Sequence, residues 1–151
     1  MNEMEKRISE IGVVPVIKLN HPERDAIPLA KALIAGGVPV AEVTFRAAGA
    51  AIAITAQVDE AMAAGAQFIV TPGMDPDIVA YCQKVSIQIF PGCTTPTDYH
   101  TAYKFGLSVL KFFPAEQSGG MAKIKAMSAP FQMFKVMPTG GISLKNLADY
   151  V

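Results

Sequence analysis

One lysine lies in an otherwise apolar stretch of the sequence. Lys111 stands between Leu110 and Phe112 in the segment SVLKFF, which has the composition of a buried β-strand. A lysine is almost never fully buried without a partner, and burial or a nearby cation favours the neutral amine. A neutral amine attacks a ketone to give an imine, which withdraws electrons from the adjacent carbon–carbon bond. In the alternative, the strand ends early and Lys111 extends to water; the pattern alone leaves both interpretations open.

A second strand-like segment, VAEVTFR, carries a carboxylate and a guanidinium. Glu42 and Arg46 share one parity along it, whereas the apolar residues between them have the other. Because side chains alternate between faces of a strand, the polar pair is predicted to point into a barrel and the apolar set towards helices. Glu42 is then the carboxylate that could move a proton beside Lys111. The alternative is a buried structural ion pair between Glu42 and Arg46, which adds little stability by itself.

Three turns rich in glycine follow predicted strands. TPGM (71–74) and FPGCTTP (90–96) each end a strand with Pro-Gly, a turn that lets backbone approach a ligand closely. PTGGIS (138–143) places two glycines before a predicted helix whose N-cap would be Ser143. Exposed amides at such a place bind phosphate, and barrels often hold phosphate in the loops after late strands. A Gly-Gly turn alone is weak evidence for a phosphate site.

The histidines and cysteines are weaker candidates for chemistry. His21 lies in a polar loop and His100 in a predicted helix, so both are expected at the surface. Cys82 and Cys93 have no metal-binding or redox spacing, and we expect two reduced thiols in a cytoplasmic protein. No metal site is predicted. A lysine adduct is itself an electron sink, so no cofactor is predicted either.

The elements that must position these residues form an alternating pattern. Strands are predicted over 13–17, 40–45, 68–71, 87–90, 108–113 and 134–137, and helices near 24–35, 49–64, 76–84, 96–105, 121–128 and after 143. Mostly continuous apolar strands indicate a parallel sheet covered by helices. Consecutive βα units favour an α/β fold of the TIM (β/α)8-barrel type in a single domain over 1–151. A doubly wound open sheet is the second choice.

Charge and hydropathy exclude several partners. Thirteen Lys and Arg residues balance thirteen Asp and Glu residues without a basic block, which argues against nucleic acid and anionic membrane as partners. The N-terminal MNEMEKRISEIG has no apolar region of a signal peptide. No stretch approaches the roughly 18 apolar residues of a membrane span.

Several segments, in order, resemble one enzyme family. VPVI, AEVTFR, VTPG, FPG, LKFFPAE and MPTGGIS are similar to the 2-keto-3-deoxy-6-phosphogluconate (KDPG) and 4-hydroxy-2-oxoglutarate (KHG) aldolase family, and the resemblance covers nearly the whole chain. It implies a class I aldolase that cleaves KDPG reversibly to pyruvate and glyceraldehyde 3-phosphate, with 4-hydroxy-2-oxoglutarate as a further small-molecule keto-acid substrate. It also implies a cytoplasmic barrel that assembles as a homotrimer without metal or cofactor.

The same resemblance implies roles for individual residues. Lys111 would form the Schiff base, Glu42 would act as the acid and base, and Arg46 would bind the pyruvate carboxylate. The residues expected to line the pocket or its hydroxyl and phosphate end are Thr71, Pro72, Phe113, Thr139, Gly140 and Gly141.

The sequence departs from the family pattern in two places. The family's third strand, with a Gly-Ala-Gly-Thr segment, has no counterpart, and the predicted join lies near Thr55 and Ala56. The family's eighth strand, with its Gly-Gly-Ser turn, is also missing. An open barrel of six strands would expose two edges and favour association. The alternative function is therefore an inactive truncated barrel, or an assembly scaffold, that retains the lysine.

Overall fold

The computed structural model describes residues 2–44 and 54–150, with only the backbone of Ile54 and Thr55. The chain divides into two compact units, Met1–Ile52 and Ala53–Val151. Each unit has its own parallel strand pairing. A single barrel domain over 1–151 stays a prediction.

The first unit contains two helices and one pair of short strands. Its elements are α1 (Glu3–Ile11), β1 (Val16–Ile17), α2 (Pro22–Ala35) and β2 (Glu42–Val43). The strands pair in parallel, with Val16 opposite Glu42 and Ile17 opposite Val43. Both strands are shorter than predicted. Pro15 lies within the predicted first strand, directly before the observed β1, and has no N–H to donate to a neighbouring strand. Its carbonyl still accepts from the Glu42 amide at 2.9 Å.

Helix α1 is absent from the sequence-based prediction, although its start carries a recognisable signal. The Asn2 side chain accepts from the Glu5 amide and the Glu5 carboxylate accepts from the Asn2 amide, each at 2.9 Å. This reciprocal capping box stabilises the first turn of a helix by satisfying amides that have no partner within it. Asn followed three residues later by Glu was the available signal.

The second unit alternates helices and strands throughout. Its elements are α3 (Ile54–Ala63), β3 (Phe68–Val70), α4 (Pro76–Lys84), β4 (Gln88–Phe90), α5 (Pro96–Lys104), β5 (Val109–Phe112), α6 (Gly120–Ser128), β6 (Lys135–Pro138) and a 3₁₀ helix (Leu147–Asp149). Apart from the helix predicted after Ser143, the predicted strands and helices of this unit agree with the observed ones to within a few residues. The part of the predicted second helix before Ile54 lies outside the described residues.

Four parallel strands of this unit follow one another in chain order. β3 pairs with β4 and β5 pairs with β6. An isolated bridge between Gly92 and Lys111 joins the end of β4 to β5. A sequential order without reversal is that of a (β/α)8 barrel, because the order of a doubly wound sheet reverses at its switch point.

The predicted helix capped by Ser143 is wrong for the described residues. The Ser143 carbonyl accepts from the amides of Asn146 and Leu147, at 3.1 and 2.9 Å, which makes a turn. The Asn146 side chain accepts from the Ser143 amide at 2.7 Å, and Asn146 is the residue directly before the 3₁₀ helix. Asn146 and Ser143 together hold a tight turn where the sequence pattern indicated an α-helix.

The core of the second unit lies between the sheet and its helices. Ile69 and Ile89 pack with α3 and α4, whereas Leu110 and Phe112 pack towards α5 and α6. Every second strand residue therefore faces the helices. The alternate residues, Lys111 among them, lie on the opposite face.

Both cysteines belong to this core. Cys82 and Cys93 are free and buried, at 0% and 1% exposure. Burial raises the pKa of the Cys82 thiol to about 11 and that of Cys93 to about 12, the second with a contribution from Asp98. They are neutral thiols of the interior, and His21 and His100 are exposed as predicted.

Within residues 2–44 and 54–150, no helix combines the length and the apolar character that crossing a membrane requires. The same residues contain no group of three or more His, Cys, Asp or Glu side chains arranged to hold a metal ion.

Candidate active site

Lys111 lies in the middle of paired strands and is 5% exposed. Its amide donates to the Pro91 carbonyl at 3.0 Å, and its carbonyl accepts from the Cys93 amide at 2.8 Å. On the other side, Lys111 stands opposite Met137 of β6. Strand β5 therefore continues through the lysine, and the alternative in which Lys111 extends to water is wrong.

The lysine has one neighbour across the sheet on each side. These neighbours are Gly92, which follows the end of β4, and Met137 of β6. Its amine nitrogen lies 5.0 Å from the centre of the Phe113 ring. The arrangement brings Phe113, a predicted pocket residue, to the Lys111 amine.

A close backbone contact lies beside this lysine. A Cβ added to Gly92 would stand 2.1 Å from the Pro72 carbonyl oxygen and 2.4 Å from its carbon, so only glycine allows the turns after β3 and β4 to meet. The Thr71 hydroxyl donates to the Gly73 carbonyl at 2.8 Å and holds the first of these turns. Thr71 is buried and Pro72 is exposed. The contact places Pro72 beside the residue that pairs with Lys111.

Three backbone hydrogen bonds join Thr139 and Gly140 to the end of β5 and to the segment that follows it. The Thr139 amide donates to Phe112, the Ala115 amide to Thr139, and the Glu116 amide to Gly140, at 2.9, 2.7 and 3.2 Å. A Cβ on Gly140 would stand 3.4 Å from two atoms of the Phe113 ring, and Gly140 has a φ of +99°. The ring above the Lys111 amine therefore also packs against this turn.

The amides of Gly140 and Gly141 donate to no acceptor found among residues 2–44 and 54–150. Two neighbouring amides without a partner at the end of a strand are a place where an anion or a hydroxyl can bind. The predicted residues Phe113, Thr139, Gly140 and Gly141 are thus brought together at the end of β5 and β6.

The predicted residues of the first unit are placed differently. Glu42 lies in β2, is half-buried and stands opposite Val16. Val43, predicted to face helices, is 45% exposed. Arg46 lies outside the described residues. A catalytic role of Glu42 and Arg46 beside Lys111 stays a prediction.

A buried strand lysine beside glycine turns at the strand ends, in an α/β sheet of sequential parallel strands, defines an enzyme of the lysine-dependent aldolase class, and aldolases are lyases. The chain belongs to the KDPG and KHG aldolase family, which matches residues 4–60 and 48–151.

Individual relatives agree with this family. A 2-dehydro-3-deoxy-phosphogluconate aldolase of Treponema pallidum is 44% identical over 95% of this chain and 77% of its own length. A solved 4-hydroxy-2-oxoglutarate/2-dehydro-3-deoxyphosphogluconate aldolase from TTHB1 has a TM-score of 0.87 and 29% identity, over 99% of this chain and 83% of its own. The KDPG aldolase of Legionella pneumophila, solved with pyruvate as a covalent carbinolamine, has a TM-score of 0.77 and 35% identity, over 91% and 75%.

The comparison also bears on the missing third strand. The Treponema alignment spans 163 positions, more than the 151 residues of this chain, so the relative has residues that this chain lacks. The two family matches overlap at residues 48–60, a stretch that includes the predicted join near Thr55 and Ala56. An internal segment of the family is therefore absent from this chain.

The Gly92 contact gives a prediction about stability. Gly92→Ala should lower the free energy of unfolding by about 1–3 kcal/mol, because the new Cβ forces the Pro72 turn away. Gly73→Ala is the matched control, since a Cβ there meets nothing within 4 Å. Urea unfolding of both variants measures the difference. Equal stability of the two variants would contradict the contact.

Proposed function

We propose that this chain is a class I aldolase that cleaves KDPG reversibly to pyruvate and glyceraldehyde 3-phosphate through a Schiff base on Lys111. The observation that carries the proposal is the burial of Lys111 within paired strands, with its amine over Phe113. The covalent carbinolamine of pyruvate in the Legionella relative supports the same chemistry.

The reaction begins with attack of the neutral Lys111 amine on the C2 carbonyl of the substrate. The carbinolamine loses water to give an iminium ion, and a base removes the proton of the C4 hydroxyl. The C3–C4 bond then breaks, and its electrons flow into the iminium to form an enamine and release the aldehyde. Protonation of the enamine at C3 and hydrolysis free pyruvate and the lysine. The lysine adduct accepts the electrons, so the proposal includes neither cofactor nor metal.

In this proposal Glu42 serves as acid and base, and Arg46 binds the carboxylate of pyruvate. Phe113, Thr71 and Pro72 line the pocket around the keto acid. The hydrogen bond from Thr71 to Gly73 and the contact between Pro72 and Gly92 support such a role, because they hold one wall of the pocket in place. The wall would be rigid before the substrate arrives.

The distal end of the substrate would bind at Thr139, Gly140 and Gly141. The two glycine amides without an acceptor in the described structure support this assignment. Backbone amides bind a phosphate or a hydroxyl oxygen without a charged side chain.

Assembly and location complete the proposal. Within the second unit, β3 and β6 each have one paired neighbour, and an unpaired strand edge favours association with another chain. We therefore propose a homotrimer or another homo-oligomer that acts on a small keto acid in the cytoplasm.

Trapping with borohydride tests the Schiff base. Reduction in the presence of pyruvate should add one pyruvate-derived group to the peptide that contains Lys111, because hydride fixes the imine. Lys111→Met should abolish the adduct. Lys135→Met is the matched control, since Lys135 lies on the same sheet face in an exposed position. Mass spectrometry that finds no adduct on the unmodified chain would favour the inactive barrel or scaffold.

A substitution of Glu42 tests the proton transfer. Glu42→Gln should reduce kcat for KDPG cleavage by about 10²–10⁴, the usual contribution of general acid–base catalysis. Glu10→Gln, an exposed carboxylate of α1, provides the control. A kcat within twofold of the unmodified protein would rule Glu42 out as the base. A coupled assay of pyruvate release gives the rates.

The phosphate of the substrate can be tested separately. The 4-hydroxy-2-oxoglutarate/2-dehydro-3-deoxyphosphogluconate aldolase from TTHB1 supports the unphosphorylated keto acid as a second substrate. If the Gly140 and Gly141 amides bind the phosphate, kcat/KM for KDPG should exceed that for 4-hydroxy-2-oxoglutarate by at least about tenfold, the effect of one charge-assisted hydrogen bond. Equal values would assign these amides to a hydroxyl group alone.

A further inference from the structure

Glu116 touches the Gly140-Gly141 turn through both its backbone and its side chain. Its amide donates to the Gly140 carbonyl at 3.2 Å. A Cβ on Gly141 would stand 2.7 Å from both Cβ and Cγ of Glu116, so the stem of the glutamate lies directly on the Gly141 α-carbon. The residue comes from the segment after β5, which also carries Lys111. It therefore connects the strand of the lysine to the turn with the available amides.

The carboxylate end of Glu116 is held by a distant residue. The Tyr150 hydroxyl donates to it, and this hydrogen bond joins residues 34 positions apart. The ring of Tyr150 packs against the core cluster of Phe112, Ala115 and Ile124. The same hydrogen bond raises the pKa of Tyr150 to about 12. Tyr150 thus anchors the free end of the glutamate to the packed part of the unit.

A third segment meets the same pair. A Cβ on Gly120, the first residue of α6, would stand 3.2 Å from the Tyr150 hydroxyl and 3.3 Å from a Glu116 carboxylate oxygen. The α-carbon of Gly120 therefore bounds the pair on one side, and the Glu116 side chain is otherwise exposed. A side chain fixed at both ends can fix the backbone on which its middle rests.

We infer that Glu116, anchored by Tyr150, is a positioning residue that holds the Gly140-Gly141 turn in the place where its amides meet the distal end of the substrate. The inference rests on the proposed function of that turn. Glu116 itself touches neither the keto group nor the lysine. Its loss should therefore weaken binding of the intact substrate and leave the chemistry on Lys111 unchanged.

Steady-state kinetics with KDPG tests this role, because a positioning residue of this kind should affect KM and leave kcat nearly unchanged. Glu116→Ala should raise KM about three- to tenfold, the effect of one or two hydrogen bonds, and change kcat less than twofold. Glu116→Gln should restore most of the KM, because an amide oxygen also accepts from Tyr150. Glu60→Ala is the control, a matched change of an exposed carboxylate on α3. An unchanged KM in Glu116→Ala, or a Gln variant as impaired as the Ala variant, would overturn the inference.

Two further measurements separate this inference from the proposed function. Pyruvate trapping at Lys111 should proceed equally in Glu116→Ala and the unmodified chain; failure in both would overturn the proposed function alone. Failure in the variant alone would overturn the positioning role.

The second measurement is hydrogen exchange of the Tyr150→Phe variant, which does not require activity. The Thr139 and Ala115 amides, which tie the turn to the end of β5 and to the segment after it, should exchange at least threefold faster in this variant. Unchanged exchange would overturn the anchoring by Tyr150.

Discussion

The backbone hydrogen bonds on both sides of β5 are the constraint on which the rest of the site depends. One set joins Lys111 to Pro91 and Cys93, and the other joins β5 to β6. A buried amine is useful for imine chemistry only if its strand cannot turn it outward. Leu110 and Phe112, both 0% exposed, prevent that turn, because a shift by one residue would move both to the face of the sheet where the lysine lies. The apolar neighbours of Lys111 thus determine where it points.

Much of the second unit could be predicted from the sequence because its signals are local. Continuous apolar strands, helices beginning at Pro76 and Pro96, and Lys111 between two apolar residues each depend on a few neighbouring positions. Strand alternation predicted that Lys111 lies on the face opposite Leu110 and Phe112, and it left open whether the side chain is buried. Helix α1 was missed even though its capping box is also local, because its polar composition masked the signal.

Other parts of the site could not be predicted, since they depend on contacts between distant segments. The contact of Gly92 with Pro72, and that of Glu116 with Gly141, involve residues about 20 or more positions apart. Tyr150 meets Glu116 only after the second unit has folded. Local patterns identified the turns, and only the folded chain shows which turns touch.

The enclosed position of Lys111 has a consequence for entropy. A free lysine side chain samples many rotamers, and restricting it costs about 2 kcal/mol. Here that freedom is lost when the chain folds, because the amine is confined beneath Phe113 between Gly92 and Met137. The cost therefore falls on the stability of the protein and does not recur at each encounter with a keto acid. A nucleophile confined before the reaction trades some stability of the fold for speed at every turnover.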